Sequence, residues 1–202
     1  MSFQQYSNIG MVVKTFQVRY EEQNFITETP FQISDYFRDD LELTLSKGIV
    51  NNSENAICEN LIYPVLKEVW KRYVDEFLLW SHQTLHYNET LTGVPDYMVA
   101  RRSPLGKVVF DKPYLIVVEA KRDDFTRGWG QCLVELIAAQ KLNDSSAETV
   151  FGVVSNGLTW EFGQLIQDVF TKHIKTYSLQ SLDELFAALN HVFEQCRLQL
   201  SD

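Results

Sequence analysis

The residues whose types and spacing suit chemistry lie between Gly93 and Gln131. Pro95-Asp96 opens one apolar run, and Glu119-Ala120-Lys121 closes the next, after Leu115-Ile116-Val117-Val118. Alternate strand residues share a face, so Glu119 and Lys121 project together, about 7 Å apart along the chain. If the two runs form a hairpin centred near Gly106 and Lys107, Asp96 falls opposite Glu119. Facing residues in such a pair lie about 5 Å apart. Two carboxylates so close repel unless a proton or a cation separates them. A hard divalent ion with oxygen ligands relieves the repulsion; Mg²⁺, with Mn²⁺ as substitute, suits a few carboxylates plus waters and a phosphate. The Ala120 carbonyl is a candidate further ligand. Lys121 stands ready to orient or deprotonate an attacking water, or to neutralise charge building on a phosphate. The metal would lower the pKa of that water. The plain alternative is a surface ion pair between Glu119 and Lys121.

The elements that must position these groups read as an α/β arrangement around a mixed sheet. Ser53 caps a helix in which Ile57, Cys58, Leu61, Ile62, Val65, Leu66 and Val69 recur at helical spacing, and Pro64 predicts a kink or break near Tyr63. Strands are expected over Phe77–Tyr87, Pro95–Arg101 and Tyr114–Val118, the last apolar on both faces as a central strand is. A helix follows over Trp129–Lys141, then a strand over Thr149–Ser155 that Asn156-Gly157 turns towards Thr159–Phe162. Ser181-Leu182-Asp183-Glu184 is a capping box that opens a final helix. Residues 1–50 read as an extension with no evident chemistry. It holds a strand over Phe16–Tyr20 and a Ser34-capped helix stopped by Gly48, and residues 51–202 form the main domain.

Composition sets limits. A net charge of −9 argues against a large basic surface and favours, as an alternative, a non-catalytic nucleic-acid- or protein-binding subunit. No run of about 18 apolar residues occurs, so no membrane span is expected. The start, MSFQQYSNIG, lacks a basic and apolar leader, and Cys58, Cys132 and Cys196 lack metal-ligand spacing. Reduced thiols in a cytoplasmic protein are the expectation. His82 and His86 have i, i+4 spacing, but their segment reads as a strand, so structural or surface roles are expected.

Three motifs together resemble a known family. Gly93-Val94-Pro95-Asp96-Tyr97, Val117-Val118-Glu119-Ala120-Lys121 and Gly128-Trp129-Gly130-Gln131 are similar to the core motifs of the PD-(D/E)xK, or restriction endonuclease-like, nuclease superfamily. The nearest flavour is the nuclease domain of type I restriction motor subunits, and the likeness covers about residues 53–162. The resemblance implies an αβββαβ core and Mg²⁺-dependent hydrolysis of phosphodiester bonds, with DNA as the expected substrate in restriction, repair or mobile-element biology. It implies Asp96 and Glu119 as metal ligands, Lys121 as base or charge stabiliser, and Gln131 as an amide holding Lys121 or a water. Glu54, in competition with Glu59, matches the family's acid on the first helix; helix capping is its plain alternative. Cutting both strands needs two sites, so a homodimer is expected, with residues 1–50 as candidate interface, and a partner subunit is possible.

Overall fold

The computed structural model describes residues 3–200. Side-chain caps start most of its helices. The Asn8 carboxamide accepts the Met11 N–H and opens α1 (Ile9–Phe16), which ends at Gln17 in the left-handed region, φ 57°. Ser34 caps α2 (Asp35–Lys47), as expected, and Gly48 ends it. Ser53 caps α3 (Glu54–Ile57) through the Ala56 N–H. Pro64 has its effect one turn earlier than its own position: Cys58–Ile62 winds as a π-helix, the Tyr63 N–H bonding the Cys58 carbonyl, before α4 (Tyr63–Trp70) resumes. A widened turn ahead of a proline moves backbone carbonyls away from a ring that cannot donate.

The sheet holds β1 (Arg19–Glu22), β2 (Phe77–Ser81), β5 (Tyr97–Arg102), β6 (Phe110–Ala120), β7 (Val150–Ser155), β8 (Thr159–Ile166) and β9 (Val169–Lys172). Their spatial order is β1-β9-β8-β7-β6-β5-β2, and β10 (Tyr177–Ser178) pairs with β8. β6 and β7 run parallel, joined by the crossover helix α5 (Phe125–Asn143), while β2–β5, β5–β6 and β7–β8 are antiparallel. The chain is therefore α/β, with a mixed sheet flanked by helices. Alternation along the strands feeds two cores. Val99, Ile116, Val118 and Val153 face α4 and the last helix, α6 (Leu182–Gln199). Met98, Val117, Val154 and Leu165 face α1 and α5.

Four expectations need correction. The predicted strand over Phe16–Tyr20 begins only at Arg19, because Phe16 closes α1 and packs against Tyr6. The segment before residue 50 is not merely appended, since β1 pairs in parallel with β9 in the main sheet. The strand expected over Phe77–Tyr87 ends at Ser81, where His82 turns left-handed (φ 52°). Leu85–His86 (β3) instead pairs with Thr92–Gly93 (β4) in a separate ribbon. At α6 the capping box does not close: Ser181 makes no side-chain cap, and Glu184 turns instead to Lys175, 2.8 Å away.

Candidate functional site

The hairpin of β5 and β6 sets the site. Tyr97 pairs with Val118 and Met98 with Val117, so one further step sets Asp96 across from Glu119. Irregularities between Val99 and Arg102 absorb extra residues of β6 towards the turn and leave this end in simple register. Side-chain alternation then fixes the face. Asp96 shares it with Met98, and Glu119 and Lys121 share it with Val117, all on the side covered by α5.

From α5, Gln131 and Glu135 are one helical turn apart and reach the same space. Gly128 permits the close approach of helix to strand: a methyl group there would meet the Lys121 Cγ and the Val154 Cγ1, each at 2.8 Å. Glu54 enters from the start of α3, its carboxylate 3.9 Å from the Lys121 ammonium. Phe3 and Gln4 close the cavity from the N-terminal side. The result is a cavity of about 310 Å³ that gathers Asp96, Glu119, Lys121, Glu54, Gln131 and Glu135. Ala120 takes part through its backbone, its N–H donating to Asp96 Oδ2 at 2.7 Å. A strand residue's N–H and C=O turn to the same neighbour, so the Ala120 carbonyl also faces the Asp96 side.

The electrostatics are lopsided. Among the described residues, four carboxylates share one cavity with a single lysine. Lys121 Nζ lies 2.8 Å from Glu119 Oε1. Burial and the nearby charge of Asp96 nevertheless push the Glu119 carboxyl up to about 7, outweighing Lys121. Asp96 is raised by burial against the opposing pull of the Ala120 N–H. Glu135, only 2% exposed, is raised well above the usual carboxylate range by burial and by the charges of Glu119 and Asp96. For Lys121 burial works downwards, but Glu119 prevails and the net shift is upwards, so the ammonium keeps its proton.

Two buried oxygens in this cavity, Gln131 Oε1 and Glu135 Oε2, have no hydrogen-bond partner. Such atoms are costly unless something satisfies them. Among the described residues no three His, Cys, Asp or Glu side chains converge tightly enough to form a ready cation cage. Here Lys121 holds one Glu119 oxygen and the Ala120 N–H holds one of Asp96. The donor set fits a hard divalent ion all the same, since it is all oxygen, anionic and partly unsatisfied.

Every residue expected at the site is thus brought to it: Asp96, Glu119, Ala120, Lys121, Gln131 and Glu54. Glu59, the competitor of Glu54, lines a neighbouring cavity instead. Three participants escaped the sequence reading. Glu135 was signalled by its i+4 spacing from Gln131. His82, 3.5 Å from Asp96 Oδ1 through Nε2, has i, i+4 spacing to His86 but was expected in a structural or surface role, because a strand was expected to continue through it. Gln4 lay in a segment read as an extension. No protein-family model matches the chain, and no curated protein matches it.

Among the described residues no helix is long and apolar enough to cross a membrane. The three cysteines are buried and unpaired by disulfides.

Proposed function

We propose that this chain is a Mg²⁺-dependent nuclease of the PD-(D/E)xK kind that hydrolyses phosphodiester bonds, with DNA as substrate and Mn²⁺ able to replace Mg²⁺. The observation that carries the reading is the meeting of Asp96, Glu119 and Lys121 in one partly unsatisfied, carboxylate-rich cavity. The strand, crossover and helix placement of the three motifs supports it, as does their spacing.

Asp96, Glu119 and the Ala120 carbonyl would hold the ion, with Glu54 completing the ring of oxygens directly or through water. When bound, the ion supplies Lewis acidity towards a phosphate oxygen and lowers the pKa of a water. The remaining work falls to the chain. Lys121 keeps its proton, which suits it to stabilising charge on the phosphate rather than to removing a proton from water. Ligation through the Glu119 oxygen that Lys121 now holds would free the ammonium to turn towards substrate. Gln131, buried beside both, offers its unpartnered carbonyl oxygen to Lys121 or to a water. Phe3 and the helix-packed wall enclose Glu119 and Glu135, whereas Asp96 and Glu54 stay accessible from solvent.

The test is direct. Purified protein with Mg²⁺ or Mn²⁺ should nick or cut DNA, chelation should stop it, and Glu119→Ala should abolish it. Inactivity on single-stranded, duplex and supercoiled DNA, with no heat of Mn²⁺ binding, would overturn the proposal. DNA binding without cleavage would mark a non-catalytic subunit. If both strands are cut together, the active species should be a homodimer by light scattering.

A further inference from the structure

A second cavity, of about 670 Å³, lies against the first, between the π-helical turn and strands β2 and β5. They sit on opposite faces of the sheet, with different residues lining each, and meet where β5 begins. Tyr97, which lines the second cavity, follows Asp96 in the chain. His82, also lining it, sets Nε2 3.5 Å from Asp96 Oδ1 and donates its backbone N–H to the Asp96 carbonyl at 2.9 Å.

The chemistry of this cavity differs from that of its neighbour. Tyr63 and Tyr97 stack with ring centroids 5.9 Å apart, and His82 meets Tyr97 edge-on at 6.0 Å. Tyr63 and His82 are the exposed members of this group. Asn55 and Ser81 add hydrogen-bonding groups, Glu59 adds an anion, and among the described residues no lysine or arginine lines the cavity. A phosphate would be repelled there. A flat, uncharged, hydrogen-bonding ring would stack on the aromatics and present its edge to an amide and a hydroxyl, and the volume lies in the range of small-ligand sites. Outside the cavity lining, Lys67 Nζ stands 5.8 Å from the centroid of the Tyr63 ring. His82 is held left-handed, φ 52°, at the join between the two cavities. A side chain other than glycine is uncommon there, and such backbone is often kept where a site needs it.

We infer that this cavity receives an unpaired nucleobase next to the phosphate being cut, so that the substrate is single-stranded nucleic acid or a single-stranded segment of a duplex. The inference rests on the nuclease reading and specifies its substrate. A base in duplex stays stacked and paired, and cannot enter without first being extruded, which costs a few kcal/mol. A net charge of −9 disfavours contact with any phosphate backbone, and the denser charge of a duplex more than that of a single strand.

The experiment is fluorescence titration of the full chain into a short DNA strand carrying 2-aminopurine, alone or annealed to its complement, in EDTA and again in Ca²⁺. The single strand should show saturable quenching, and the duplex should bind at least tenfold more weakly. Tyr63→Ala and His82→Asn, the latter chosen because asparagine tolerates the left-handed backbone, should each weaken single-strand binding about 5- to 150-fold, the range for loss of one stacked base. Tyr63→Phe should bind like the unaltered chain. Equal binding of both forms, indifference to Tyr63→Ala, or no quenching in either condition would overturn the inference. Metal-dependent cutting confined to duplex would also overturn it while leaving the nuclease reading intact. Tyr63-dependent single-strand binding without cutting under any cation would do the reverse.

Discussion

Two buried glutamates, Glu68 and Glu135, show what separates a carboxylate used for structure from one held in reserve. Both are almost wholly enclosed, at 6% and 2% exposure. Glu68, on α4, accepts hydrogen bonds from the Ser34 hydroxyl at 2.6 Å and the Lys71 ammonium at 2.5 Å. Burial pushes its carboxyl up, but Lys71 and Ser34 outweigh burial and hold it below the ordinary range. It fastens the start of α2 to α4 and has nothing further to do. Glu135, on α5, has an oxygen with no partner, and burial and the charges of Glu119 and Asp96 push its carboxyl well above the ordinary range. A fold that satisfies one buried acid and leaves another wanting, 67 positions later in the same chain, separates a finished ion pair from a candidate binding site. The same contrast extends to Glu119, whose carboxyl stays raised despite an adjacent lysine.

The sharpest way to break the contrast is to remove one acid from each region. Glu119→Ala should lower metal-dependent cleavage by about 10³-fold or more, with the fold intact by circular dichroism. Glu68→Gln should leave cleavage per folded molecule unchanged. It should instead cost about 2–3 kcal/mol of stability, since Lys71 and Ser34 lose a charged acceptor. For a chain of this size that is about 4–12 °C in thermal midpoint. Equal losses of activity in the two variants would erase the distinction.

Acid and base titration sharpens it further. The folded pKa of Glu119, about 7, exceeds the ordinary value of about 4.5 that it regains on unfolding. Its contribution to stability is therefore present at low pH and lost as pH rises through 7. Metal-free protein should lose about 2 kcal/mol between about pH 5 and pH 8, as read by denaturant melts, and Mn²⁺ should restore it at the alkaline end. Glu68 acts in the opposite sense. Its lowered carboxyl supports the fold above the ordinary range and is lost only as pH falls towards its folded value, so Mn²⁺ should leave that acid limb unchanged. The smallest effect belongs to Glu135→Gln. It should raise the stability of metal-free protein by about 1 kcal/mol by removing a charge-prone buried acid. By calorimetry it should also weaken Mn²⁺ binding about tenfold, as loss of a supporting group does.

Much of the site was legible because strand periodicity and hairpin counting are local arithmetic. Asp96 and Glu119 face each other because the bulges lie between Val99 and Arg102 and leave the register of the upper end undisturbed. Ser34, Ser53 and Gly48 announced their helix ends because capping depends on one side chain and a few backbone groups. What was not legible depended on distant partners. β1 forms because β9 offers it a parallel edge some 150 residues later, a contact that the four exposed residues Arg19–Glu22 do not signal. β9 itself and β10 are short strands stabilised by β8, with little pattern of their own. Glu184 completes the sequence of a capping box, yet Lys175 competes for it and wins. His82 reached the site through a single left-handed residue, where a strand pattern had promised continuity.

The most direct measurement is the anomalous scattering of Mn²⁺ soaked into crystals of the full chain. One strong peak should lie within coordination distance of both the Asp96 and the Glu119 carboxylates, with Lys121 swung away from Glu119. At saturating Mn²⁺, a Glu119 still paired to Lys121, with no ion between it and Asp96, would contradict the metal centre and everything built on it.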